Sequence, residues 1–122
     1  MKFSCIILDD EPLAQEQVEA YISQCDELVL LGKVSSMQGL ERLLNAHKAD
    51  ILFLDIKFRG GDINQIAKLK IKDYIIIVIT ALSHKHLEEY NLKFARDILF
   101  KPFSLESFKE SLNKVIPLKA VK

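Results

Sequence analysis

Five short apolar runs, at residues 3–9, 28–34, 51–54, 74–79 and 98–100, recur along the chain with amphipathic segments between them. They are rich in Ile, Val, Leu and Phe and lack regular polar alternation, the pattern of strands buried on both faces. The strongest, Tyr74-Ile-Ile-Ile-Val-Ile79, is expected to be a central strand. A sheet can be covered on both faces only if the connecting segments pack on each side of it. Alternating strands and helices satisfy this with a parallel sheet and right-handed crossovers. The expected fold is therefore α/β, a doubly wound (βα)5 unit with helices on both faces.

The intervening segments change period. Ala14, Val18, Tyr21, Ile22 and Cys25 fall at helical spacing behind Pro12, which a first turn tolerates, and predict a helix of about twelve residues. Met37, Leu40, Leu43, Leu44 and His47 predict a second, opened by Ser35 or Ser36 as its cap. Arg59-Gly60-Gly61-Asp62 reads as a loop ending in an Asp cap, before a short helix through Ile63, Ile66, Ala67 and Leu69. Ser83 starts a helix whose inward positions, Leu87, Tyr90 and Phe94, are sparse, so it should be the least anchored. Ser104 caps a last helix with Leu105, Phe108, Leu112, Val115 and Ile116 inward and Pro117 as its stop. Residues 1–117 thus read as one domain and 118–122 as a tail or the start of a linker.

The length of 122 residues suits a single domain. Seventeen basic residues against seventeen acidic leave no net charge to grip nucleic acid or an anionic membrane. The total hides an asymmetry: residues 1–61 carry 6 basic and 10 acidic side chains, residues 62–122 carry 11 and 7. No run approaches the roughly 20 apolar residues of a membrane span, and the first is too short and too soon acidic for a signal peptide. Cys5 and Cys25 sit in apolar, core-facing patterns and read as buried free thiols, which suits a reducing cytoplasm.

In open α/β sheets ligands bind beyond the carboxyl ends of the strands. There the sequence places Asp9-Asp10-Glu11, then Asp55, then Thr80-Ala81, and last Lys101-Pro102-Phe103. Carboxylates gathered at one rim raise one another's pKa unless a cation offsets them. Magnesium, with its preference for oxygen ligands and phosphate, fits such a rim. A carboxylate beside Mg2+, a lysine and a hydroxyl could also accept a phosphoryl group. Each residue has an ordinary reading too: Asp9 and Asp10 as helix caps, Asp55 as a strand end, Thr80 as a β-branched strand residue, Lys101 as a solvated turn lysine. Only their joint arrangement argues for chemistry.

That ordered set, Asp9-Asp10-Glu11-Pro12, Asp55, Thr80-Ala81 and Lys101-Pro102-Phe103, resembles the CheY-like receiver domains of two-component response regulators over essentially the whole chain. The stretches around residues 8–14 and 97–105 look most like receivers joined to LytTR-type DNA-binding domains. The resemblance implies a flavodoxin-like strand order of 2-1-3-4-5. It further implies that Asp55 accepts a phosphoryl group from a histidine kinase or phosphotransfer protein. Asp10 and Asp55 would bind Mg2+, with the backbone carbonyl of Lys57 as a third ligand and Asp9 acting mainly through metal-bound water. Thr80 and Lys101 would contact phosphoryl oxygens. Such a domain is a signalling switch that catalyses only its own phosphorylation and dephosphorylation. A homodimer is compatible with it, and any DNA contact would belong to an effector domain outside this chain.

Three departures from the family pattern stand out. Arg59-Gly60-Gly61-Asp62-Ile63 replaces the usual proline-containing loop, Lys57 puts a cation two residues after the acceptor, and Ile98 stands where an aromatic rotamer switch is usual. They leave open a second reading, a degenerate receiver that works as a phosphorylation-independent interaction or dimerisation module. A phosphatase of the haloacid dehalogenase type would need Asp-x-Asp after the first strand, and a flavin site a phosphate-binding loop there; neither is present.

Overall fold

A computed structural model describes residues 2–68 and 73–120. In chain order the elements are β1 (Phe3–Leu8), α1 (Pro12–Ser23), β2 (Leu28–Val34), α2 (Met37–Ala46), β3 (Ile51–Asp55), β4 (Lys57–Phe58) and β5 (Gly61–Asp62). A 3-10 helix (Ile63–Lys68), β6 (Ile75–Thr80), α3 (His84–Leu87), β7 (Asp97–Phe100) and α4 (Leu105–Ala120) complete the fold. Five strands form one parallel sheet in the order β2-β1-β3-β6-β7, the expected 2-1-3-4-5.

Period-2 geometry sends successive side chains of a strand to opposite faces, and here it divides the core in two. Ile75, Ile77 and Ile79 join Phe3, Cys5, Ile7, Phe53, Val18, Ile22, Phe108 and Leu112 beneath α1 and α4. Ile76 and Val78 join Ile6, Leu8, Leu52, Leu54, Leu40, Ile63 and Ile66 on the opposite face. All six residues of β6 are buried. Burying an isoleucine contributes about 1.5–3 kcal/mol, which is why so unbroken a run can only be central. Gly32 permits the approach of α2 to β2, because a Cβ there would meet Leu43 Cδ1 at 2.7 Å. Ser36, rather than Ser35, caps α2, its Oγ accepting the Gly39 amide at 3.1 Å.

Three local expectations are corrected. The segment at 59–62 is not a plain loop: β4 and β5 form a small antiparallel hairpin, Lys57 opposite Asp62 and Phe58 opposite Gly61. Its tip needs Gly60, whose φ of 84° suits a residue without a Cβ, and Arg59 N donates to Ser35 O at 3.0 Å. The short helix expected next is present, as a 3-10 helix. Ile63 and Ile66, both fully buried, are three apart and so eclipse on one side of a three-residue turn; the expected Leu69 lies outside the described residues. The segment after Ser83 keeps only the short α3. It then breaks into turns closed by Tyr90 N to Leu87 O and Ala95 N to Leu92 O, both 3.0 Å, while the Asn91 side chain accepts the Lys93 amide at 3.3 Å and competes with helix. Last, Pro117 does not stop α4, which runs on to Ala120. Proline forgoes one amide bond, but its fixed φ is compatible with helix, and one more turn follows.

Candidate functional site

Parallel strands that end in register bring their last residues to one rim. Asp55 is the final residue of β3 and pairs with Ile79, one residue before Thr80. Thr80 pairs with Phe100, one residue before Lys101. Asp9 follows directly on β1, its amide donating to Val34 O at 3.0 Å.

Lys101 is the hub. Its Nζ donates to Asp9 Oδ2 at 2.8 Å and to Asp55 Oδ2 at 3.2 Å, and lies 3.8 Å from Glu11 Oε1. Its own amide donates to Thr80 O at 2.7 Å, and a cis Lys101–Pro102 peptide turns the chain away. Tyr21, reaching from α1, donates its hydroxyl to Phe103 O at 2.9 Å and sets its ring edge-on to Phe103 at 5.7 Å. The loop carrying the lysine is thereby pinned to a helix.

The charges are unequal, three carboxylates facing one ammonium, two of them hydrogen-bonded to it. Asp9 is 3% exposed and holds the shorter bond to Lys101. Burial pushes the Asp55 carboxyl from its ordinary 3.8 up to about 6, with Asp9 adding to the rise and Lys101 opposing it. Burial alone would lower the Lys101 pKa, yet its hydrogen bonds and charge contacts with Asp9 and Asp55 raise it. Carboxylate oxygens of Asp9, Glu11 and Asp55 lie within 4.8 Å of one another. Such hard oxygen donors, with an excess of negative charge, suit Mg2+.

Beside Asp55 is a cavity of about 140 Å3 lined by Asp55, Ile56, Lys57, Thr80, Ala81 and Leu82. Asp55 Oδ1 accepts the Ile56 amide at 2.7 Å, so Oδ2 is the oxygen turned to Lys101. Thr80 Oγ1 accepts the Leu82 amide at 3.0 Å, leaving its hydroxyl hydrogen to donate.

Of the residues singled out from the sequence, Asp9, Asp55 and Lys101 meet directly, and Thr80 and Lys57 line the adjoining cavity. Asp10 stands exposed at the rim, outside the carboxylate trio. Glu11 takes the third place in that trio; it adjoins the two aspartates, and only its direction was not legible. Cys5 and Cys25 are buried and free. Ile98 is half-buried against the second core.

Comparison with known proteins identifies a family. The family described as "Response regulator receiver domain" matches residues 5–113. Among curated proteins, the chain is similar to the sensory transduction protein LytT of Oceanobacillus iheyensis, 31% identical over 120 residues covering 94% of this chain and 48% of that protein. It is also similar to the transcriptional regulatory protein MalR of Bacillus subtilis, 32% identical over 112 residues covering 88% and 48%. The chain therefore spans about half the length of these relatives. Among solved structures, the response regulatory domain of mrkE from Klebsiella pneumoniae superimposes with a TM-score of 0.83 at 24% identity, covering 98% of this chain and 99% of that one. At this identity the likeness speaks for the fold alone.

Proposed function

The chain belongs to the response regulator receiver domain family, and from that premise we propose that it accepts a phosphoryl group on Asp55 from the phosphohistidine of a histidine kinase or phosphotransfer protein. The observation that carries this reading is the placement of Asp55. Its Oδ2 is held 3.2 Å from Lys101 Nζ, at the edge of a cavity that also contains Thr80.

In the step itself, an Asp55 oxygen forms a bond to phosphorus while the bond from phosphorus to the donor's imidazole nitrogen breaks. The transfer needs positioning and charge neutralisation more than covalent assistance. Lys101 is placed to pair with a phosphoryl oxygen, and the Thr80 hydroxyl to donate to another. Mg2+, held by Asp55 with Asp9, Asp10, Glu11 and the Lys57 carbonyl as the available oxygens, would neutralise the charge of the phosphoryl group. Hydrolysis of the acyl phosphate by water restores the carboxylate. When the Thr80 hydroxyl engages a phosphoryl oxygen, its contact with the Leu82 amide changes, and the segment after Ser83 is next in the chain to feel it. The protein is accordingly a signalling switch of a cytoplasmic two-component system rather than a metabolic enzyme. Its output would pass through a homodimer or a DNA-binding effector region such as the longer relatives have room for.

The test is intact mass spectrometry after incubation with Mg2+ and acetyl phosphate. One added phosphoryl group is expected on the native chain and none on Asp55→Asn. A second reading, an interaction module that works without phosphorylation, draws on Ile98, whose branched side chain cannot make the swing of an aromatic switch. Absence of both the adduct and any beryllofluoride-induced change would favour it.

A further inference from the structure

Asp9 is tied at every polar atom. Its amide donates to Val34 O at 3.0 Å, its Oδ1 accepts the Glu11 amide at 2.9 Å, and its Oδ2 accepts Lys101 Nζ at 2.8 Å. The remaining atom, its carbonyl oxygen, lies past Leu8 and Val34, the last register pair of the β1–β2 ladder. Gln15 fills this position. From α1 its Nε2 donates to Asp9 O at 2.5 Å and to Val34 O at 3.0 Å. Both partners are carbonyls, so only the amide nitrogen can face them, and its two hydrogens serve the two strand ends at once. Helical periodicity alone would put Gln15 on the outer polar face, yet the side chain is half-buried.

The Asp9 carbonyl shares a rigid peptide plane with the Asp10 amide. Fixing that oxygen fixes the direction in which β1 hands the chain on to Asp10 and Glu11. We propose that Gln15 is a positioning residue for the acidic site: by clamping the Asp9 and Val34 carbonyls together it sets the orientation from which the Asp9, Asp10 and Glu11 carboxylates approach a divalent cation. The inference rests on reading this rim as a Mg2+ site. Residues that hold a metal ligand in place without touching the metal typically govern affinity by about 10–100-fold when lost.

Three variants separate hydrogen bonding from shape. Gln15→Glu keeps the outline but turns an oxygen toward two carbonyls, Gln15→Leu removes the donors, and Gln15→Arg retains donors without an acceptor. Two measurements are made on each, after thermal unfolding confirms a folded chain. Calorimetric titration should show the dissociation constant for Mg2+ rising about tenfold in Gln15→Glu and Gln15→Leu and staying within about twofold of native in Gln15→Arg. Without metal, the backbone resonance of the Asp10 amide should move in the first two variants and hold its place in the third. Equal Mg2+ affinity in the native chain and Gln15→Glu, or equal loss in Gln15→Arg, would overturn the proposal. If the native chain takes no Mg2+, the metal reading fails and the affinity claim with it, whereas the Asp10 resonance still reports whether the clamp exists.

Discussion

Replacing Asp55 by asparagine should make the metal-free protein more stable at neutral pH, although it removes the residue on which the proposed function depends. A carboxyl held near 6 in the fold but ionising at its ordinary 3.8 in the unfolded chain favours the folded state only while protonated. That contribution is complete below pH 3.8 and is lost as pH rises through 6. At 1.36 kcal/mol per pKa unit the gap corresponds to roughly 3 kcal/mol. The Asp55 side chain retains some contact with solvent, 13% of its area, and screening reduces the figure to about 1–2 kcal/mol. Asparagine keeps an oxygen to accept from Lys101, which also retains its shorter bond to Asp9. The expected rise in Tm is about 4–8 °C, read by circular dichroism in the presence of a chelator. The advantage of Asp55→Asn should shrink as pH falls from about 6 to about 4, where the native carboxyl is neutral in both states. Saturating Mg2+ should stabilise the native chain more than the variant, closing or reversing the gap; a ligand at 100 times its Kd is worth about 2.7 kcal/mol. Equal melting of the two chains at neutral pH without metal, or a gap that persists unchanged to pH 4, would refute the reasoning.

Three further outcomes follow from side chains packed in or against the core. Tyr21→Phe removes the hydrogen bond to Phe103 O and should cost about 1 kcal/mol in denaturant titration, with faster amide exchange around Lys101; exchange unchanged there would show that Tyr21 does not hold the loop. Ser111 is 1% exposed and its Oγ finds no partner among the described residues, so Ser111→Ala should raise stability by about 1 kcal/mol, and a lowered Tm would contradict this. Burial pushes the Cys5 thiol from its ordinary 9.0 up to about 12. Its contribution is complete below pH 9 and is lost as pH climbs toward 12, so Cys5→Val should unfold at a higher pH in alkaline titration, and coincident curves would rule the thiol out.

The strands were legible because each is a nearly continuous apolar run, and the parallel sheet follows from covering both of its faces. The helices α1, α2 and α4 were legible because each is long enough to show its period. The β4–β5 hairpin was not, since two-residue strands carry no periodicity and Gly60-Gly61 marks only a turn. The segment after Ser83 stayed helical only through Leu87, where three apolar positions were set against the local hydrogen bonding of Asn91. In the site, strand ends located Asp9, Asp55, Thr80 and Lys101, but not that Lys101 would sit between two aspartates. Gln15 escaped notice for a different reason: a polar residue on a polar helix face gives no sign that its amide is turned inward.

The division of the core by the sheet bears on how such a chain can change over time. Side chains on the two faces of β6 touch different neighbours, and substitutions without shared partners combine almost additively. The face under α1 and α4 includes Phe103 and Phe108, which brace the loop that carries Lys101. The other face supports α2, the hairpin and the turns of 88–95. The sheet therefore acts as a bulkhead: descendants can repack one face while the contacts of the other hold, except at the rim, where Ile56 and Leu82 of the second face line the cavity beside Asp55.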